Sequence, residues 1–463
     1  MIMMRALARL ALAIAAGVAA APAAAGQGAG APPAPLDRYR ELAGKVSRER
    51  VEGTVRTLAT FRTRHTASTG TVPGEGIAAA ARWIGEEMSA GAGSGSTVVF
   101  DEYLAEGARL LKPAPSRNVQ MLIPAAAPWA RNRYVVVSGH YDSRASDPVD
   151  FRSDAPGAND DGSGTAVVIE MARVLGRVRF DANVLLVAVS GEEQGLLGAR
   201  HLARRATAEG WEVRAMITND IVGNSLGQNG VRDAGRLRVF SEGVPAAVDE
   251  ARARLRVAIG GENDSASRQL SRHVAEIFEG VFDDIAAMQV YRRDRMGRGG
   301  DHIPFLEEGF PAVRFTEVNE HYRHQHQDVR VEEEAPGGNP IPYGDLPEYM
   351  DFDYLTRVAR ANTAVAASLA DAPAEPRNVS ISGGVAPDTT LAWEPVPDED
   401  VAGYEVLMRD TTAAVWQEAR FVAAPATRLT LTGVTVDNAF FAVRAVDREG
   451  HRSIAVFPTG LIR

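Results

Sequence analysis

The sequence predicts an α/β domain with a mainly parallel, mixed sheet and helices on both faces, followed by an all-β sandwich. Three observations predict this. Between residues 119 and 218, β-branched apolar runs alternate with helical stretches, the pattern of strands joined by crossover helices. Several runs stop abruptly in polar residues, as where Val135-Val-Val leads into Ser-Gly-His140-Tyr-Asp142. Such an ending puts polar side chains at the carboxyl edge of a sheet, where open α/β folds place their sites. Beyond Pro376 helical periodicity disappears, and short strands recur between turn residues.

In chain order, residues 1–25 combine Arg5 and Arg9 with an apolar stretch and an Ala-rich end, which reads as a secretory signal peptide. Residues 26–35 are a flexible Ala/Pro/Gly leader. Helical spacing runs through 36–58 and again through 76–88. Strands follow at 97–103, 119–123 and 134–138, then helix 165–175, strand 183–189, helix 196–206 and strand 213–218. Residues 233–264 are more polar and read as an excursion near the cleft, with a strand at 237–240. Helix 268–282, a strand near 310–316 and helix 352–369 complete a domain spanning residues 36–370. Residues 371–375 form a Pro-marked linker, and 376–463 carry seven short strands at 378–382, 390–393, 403–408, 416–422, 428–431, 439–445 and 453–457.

Composition narrows the function. At 463 residues the chain exceeds one ordinary core. With 60 acidic against 50 basic residues and a net charge of −10, it gives no reason to expect nucleic-acid or anionic-membrane binding. Beyond the leader no apolar run is long enough to span a bilayer, so the mature chain is expected to be secreted or periplasmic. With no cysteine, a metal would have to be held by His and carboxylate.

The candidates for that role stand at successive strand ends. His140 and Asp142, two apart, share one side of a strand, so Asp142 can orient the imidazole. Asp160 lies in a Gly-rich turn before a helix, Glu192 and Glu193 follow the run 183–189, and Asp220 follows 213–218. Adjacent carboxylates repel, which makes Glu192-Glu193 costly without a cation.

The motifs Gly-His140-x-Asp142, Gly-Ala-Asn-Asp160-Asp-Gly-Ser-Gly164, Gly-Glu192-Glu193-x-Gly-Leu-x-Gly198, Asn-Asp220, Asp301-His302-x-x-Phe305 and His324-x-x-x-Asp328 occur in order. With them the chain resembles the secreted di-zinc aminopeptidases, the family of bacterial leucyl aminopeptidase and the Streptomyces aminopeptidase. The resemblance implies a zinc-exopeptidase fold and two zinc ions, one on His140, Asp160 and Asp220, the other on Asp160, Glu193 and His324. It makes Asp160 the bridge, Glu192 the general base and acid, and Asp142 the partner of His140, with a cis peptide after Asp160. His326 is the neighbour able to replace His324. A family tyrosine expected before Asp301 is missing, and Tyr291 or an arginine would have to serve.

The implied reaction releases the N-terminal residue of peptides with a free N-terminus. A carboxypeptidase of the glutamate carboxypeptidase type is the alternative, given Arg292, Arg293, Arg295 and Arg298. A glutaminyl cyclase, which uses one zinc, fits less well. An inactive binding protein on the same fold would show broken ligands, and these are intact. The tail resembles a fibronectin type III domain through Trp393, Tyr404 and the segment around Phe441, where that fold usually has tyrosine. It implies a module for a protein or polysaccharide partner. It contains no candidate ligand, so the peptidase domain is expected to work without it.

Overall fold

The chain opens with helices α1 (Leu36–Ala43), α2 (Arg48–Thr60) and α3 (Ile77–Gly91), then the antiparallel pair β1 (Thr97–Ala105) and β2 (Ala114–Ile123). The alternating part follows as β3 (Arg133–His140), α4 (Gly162–Leu175), β4 (Asn183–Val189), α5 (Leu197–Ala208) and β5 (Glu212–Asn219). Next come β6 (Arg236–Ser241), α6 (Glu250–Ala258), α7 (Ala266–Val281), β7 (Ala286–Val290), α8 (His302–Glu307), β8 (Ala312–Thr316), a hairpin of β9 (Arg330–Glu333) and β10 (Pro340–Tyr343), and α9 (Phe352–Asp371). This computed structural model describes residues 30–68, 73–246 and 249–462, so the expected signal peptide and most of the leader lie outside it.

Eight strands form one sheet in the order β1-β2-β4-β3-β5-β8-β6-β7. Its centre, β4-β3-β5-β8, is parallel, while β2 and β6 join it antiparallel. Strand alternation sorts the side chains. Val135, Val137, Val184 and Leu186 face a core shared with α4 and α9, and Val136, Leu185, Val187 and Met216 face α5 and α8. The two-faced burial explains why these strands read as continuous apolar runs.

Two stretches of this part depart from the sequence expectation. The helix expected over 36–58 is two helices, because Ser47 adopts an extended conformation and its side chain caps α2 by accepting from the Arg50 N–H. The excursion expected at 233–264 contains β6, which is a full member of the sheet beside β8, and an exposed helix α6 that buries no residue. Its polarity reflects that helix, not the strand.

The last strands form two sheets: β15-β12-β11-β17 and β14-β13-β16. They comprise β11 (Arg377–Ser382), β12 (Thr389–Glu394), β13 (Val401–Asp410), β14 (Glu418–Ala423), β15 (Arg428–Leu431), β16 (Ala439–Asp447) and β17 (Gly460–Leu461). Trp393, Tyr404 and Phe441 fill the space between. The Tyr404 hydroxyl accepts a 3.0 Å hydrogen bond from the Val396 N–H. The strand expected at 453–457 is reduced to two isolated bridges, Val443 with Val456 and Val446 with Arg452, and the final pairing passes to β17, parallel to β11.

Residues Ala31–Arg463 make one compact unit, because the sandwich is tied to the α/β part by buried charges. Both terminal nitrogens of Arg133 donate to Asp398 at 2.6 Å, with the side chains 6% and 1% exposed. Asp264 accepts from Arg272 of α7 at 2.8 Å and from Arg409 of β13 at 2.7 Å. Arg444 of β16 reaches Glu276 at 2.6 Å. Deleting residues 376–463 would strip Asp398 from Arg133 and Arg409 from Asp264, so the truncated chain is expected to lose solubility or stability. Removing one partner of a buried pair costs about 3 to 5 kcal/mol, whereas replacing both by apolar residues is close to neutral. Asp398→Ala should therefore lower the denaturation midpoint in urea far more than the double change Asp398→Leu with Arg133→Met.

Candidate active site

The carboxyl ends of β3, β4 and β5 lie side by side, with His140 opposite Val189 and Ser138 opposite Thr218. Three loops therefore leave the sheet at one edge carrying His140 to Asp142, Glu192-Glu193 and Asp220. The fourth contributor is the turn before α4. Asp161 caps that helix by accepting from the Gly164 N–H at 2.9 Å, and its other oxygen accepts from the His140 N–H at 2.9 Å. Gly139 and Gly164 allow this contact, since a Cβ on Gly139 would stand 2.2 Å from the Gly164 carbonyl carbon. The helix thus starts directly over β3, with Asp160 at its mouth. The Asp160-Asp161 peptide is cis, as the family resemblance implied, and so is Asp220-Ile221.

Asp160 faces two imidazoles with its two oxygens. Oδ1 lies 3.2 Å from His140 Nε2, and Oδ2 lies 3.0 Å from His326 Nε2. His326 Nε2 is also 3.3 Å from Glu193 Oε1, and His140 Nε2 is 4.0 Å from Asp220 Oδ2. Ligand atoms of Asp160, Glu193 and His326 all lie within 4.8 Å of one another, as do those of His140, Glu192 and Asp220. Asp142 accepts from the Glu192 N–H at 3.2 Å and from the Glu193 N–H at 3.0 Å, and its Oδ1 is 3.5 Å from His140 Nδ1. The buried Asp142 carboxylate thereby aligns the glutamate pair, while its backbone carbonyl oxygen, 3.1 Å from His140 Nδ1, holds the imidazole.

The expected late histidine is the correction. His324 does not reach this cluster. The short 3₁₀ turn Tyr322–His324 points its ring away from Asp160, into a stack with His321 on one side and Tyr349 on the other. Two residues on, the backbone swings through a left-handed conformation at His326, with φ 54°, and that imidazole faces Asp160 and Glu193. Burial, with His321 and Arg323 adding to it, pushes the His324 imidazole down to about 4. Burial also disfavours charge on His326, but Glu193 and Asp160 outweigh it and raise that group to about 10.

Burial lifts the Glu192 carboxyl well above its usual range, and Asp220 and Glu193 push the same way. Glu192 remains partly exposed to the cleft. Asp301 and His302 are fully buried; His302 Nε2 lies 2.8 Å from the Arg293 carbonyl oxygen, an interior role. The Tyr291 hydroxyl donates to the Ala414 carbonyl of the sandwich, away from the cluster.

Two groups with no sequence signal support the site. Asp345 accepts from the N–H groups of Asn159 at 2.8 Å and Asp160 at 2.6 Å, from 185 residues away. Arg314, wholly buried on β8, lies 2.8 Å from Asp220 Oδ1.

The donors fit a divalent cation. Asp160, Glu193 and Asp220 are at least nineteen-twentieths buried, and His140 Nε2 is buried with no hydrogen-bond partner. So many carboxylates in one dry space are unfavourable without positive charge, and imidazole with carboxylate is a donor set that zinc accepts.

Residues 118–335 match the description of Peptidase family M28. A "probable zinc metalloprotease" of Pyrenophora tritici-repentis is 40% identical over 432 residues, covering 92% of this chain and 88% of its own. The chain belongs to peptidase family M28. A second relative of the same description, from Leptosphaeria maculans, is 41% identical over 430 residues, covering 92% of this chain and 98% of its own. Among solved structures, the LapA aminopeptidase of Legionella pneumophila shares the fold, with a TM-score of 0.51 at 18% identity, covering 74% of this chain and 78% of its own.

Because Asp142 holds both glutamate amides and faces the His140 ring, Asp142→Ala should weaken zinc retention roughly 10- to 100-fold, the usual effect of losing a ligand's supporting partner. Competition with a chromophoric chelator measures it.

Proposed function

We propose that this M28 peptidase is an exported zinc aminopeptidase. The observation that carries the reading is the Asp160 carboxylate, which turns one oxygen to His140 and the other to His326. That is the arrangement a bridging ligand between two cations needs. One zinc would be held by His140, Asp160 and Asp220, and the other by Asp160, Glu193 and His326. Zinc bound there supplies Lewis acidity and makes water a stronger acid at neutral pH.

The chain's own residues do the rest. Glu192 accepts a proton from the attacking water and returns it to the leaving amine. Asp142 keeps the His140 ring in one orientation and holds the Glu192 backbone at its station. Arg314 fixes Asp220 from behind. Export rests on the expected signal peptide, and the C-terminal sandwich is read as fibronectin type III-like from its two-sheet core around Trp393 and Tyr404.

The carboxypeptidase reading needs a free guanidinium for a substrate carboxylate. Of the four arginines, Arg293, Arg295 and Arg298 are each already beside a carboxylate, Arg293 at Glu242 and the other two at Glu320, while Arg292 is exposed and has no carboxylate partner among the described residues. With three of the four engaged, the aminopeptidase reading is preferred.

Glu192→Gln preserves shape and removes the basic oxygen. Activity on aminoacyl-nitroanilides should fall at least about 100-fold in kcat with KM and zinc content little changed. Glu193→Gln and His326→Ala should each lose one equivalent of zinc together with activity. Zinc loss in Glu192→Gln, or hydrolysis of N-blocked peptides only, would overturn the reading. Treatment of the wild-type protein with a chelator should abolish turnover, and added zinc should restore it.

A further inference from the structure

Resting on the reading of His326 as a zinc ligand, we infer that His324 and Tyr349 are positioning residues, a stacked brace that keeps His326 turned toward Asp160 and Glu193. The loop that carries His326 has little regular structure of its own. After the turn Tyr322–His324 the chain is extended at Gln325 and left-handed at His326. A left-handed backbone is uncommon for a residue with a Cβ, and supporting contacts around it favour its being kept.

The surroundings are specific. The rings of His321 and His324 lie 3.7 Å apart between centroids at 7°, and those of His324 and Tyr349 lie 3.7 Å apart at 6°. His324 is thus clamped between two parallel planar faces immediately before the turn into His326. The loop is also pinned by the Gly344 N–H, which donates to the Arg323 carbonyl at 3.1 Å, and by the Gln325 amide, which donates to Glu320 at 3.2 Å.

Tyr349 belongs to the same short segment as Asp345, whose carboxylate holds the Asn159 and Asp160 amides. One stretch of chain, residues 345–349, therefore grips both partners of the Asp160–His326 contact. Asp345 holds the carboxylate side, and Tyr349, through His324, holds the imidazole side. Both sides of the 3.0 Å contact between Asp160 Oδ2 and His326 Nε2 are thus supported from that stretch.

The brace needs flat rings at 324 and 349, not ring nitrogens. In the full-length protein, His324→Ala and Tyr349→Ala should weaken one of two zinc equivalents roughly 10- to 100-fold, by analogy with the loss of other supporting partners. His324→Phe and Tyr349→Phe should keep affinity within a few-fold of wild type. His326→Phe should lose the same equivalent without rescue. Zinc stoichiometry, chelator competition and circular dichroism are the readouts. Wild-type zinc affinity in His324→Ala overturns the brace. So does a zinc loss in His324→Phe as large as in His324→Ala, which would make the imidazole itself a ligand. Should the alanine variants not fold, the phenylalanine variants decide alone, since the brace requires them to bind normally. A wild-type chain that takes up fewer than two equivalents overturns the two-zinc reading and the brace with it; two equivalents with an unaltered His324→Ala overturn only the brace.

Discussion

Asp142, Asp160, Asp161, Glu192, Glu193 and Asp220 are brought to one edge of the sheet, and all but Glu192 are buried. Like charges at that density repel strongly where little water screens them. The surrounding structure answers that repulsion. Backbone N–H groups at the start of α4 and in the glutamate turn, the imidazoles of His140 and His326, and the guanidinium of Arg314 each face a carboxylate. What they leave is a His140 Nε2 without a hydrogen-bond partner beside carboxylate oxygens, a donor set that a divalent cation fits.

The same logic explains why the supports are so distant in the chain. Asp345 reaches the Asp160 turn, and Arg314 reaches Asp220, from the far half of the domain. The central parallel strands bring their loops to one edge but do not orient side chains within it. Orientation is supplied by groups behind the loops, and each of these is itself buried and engaged.

Charge also joins the sandwich to the α/β part. Arg133 with Asp398, and Asp264 between Arg272 and Arg409, are desolvated pairs across that junction. Such pairs fix geometry more than they add stability. The sandwich therefore behaves as part of the folded body, although its sequence has the texture of an independent module.

By itself the sequence determined the sheet, its helices and most of the residues gathered at its carboxyl edge. Apolar runs ending in Gly-His140-x-Asp142, Glu192-Glu193 and Asn-Asp220 are local patterns, and strand alternation and parallel crossovers carry them to one edge without further information. The tertiary structure decided what local pattern does not encode. His324 and His326 lie two residues apart in the same polar loop, and the family motif, a His four residues before Asp328, favours His324. The stack of His324 between His321 and Tyr349 and the left-handed turn at His326 reverse that choice. Asp345, Arg314 and the interface arginines were silent in the sequence for the same reason. Each acts on a group far away along the chain, and a lone buried charge reads as surface until the fold brings its partner to it.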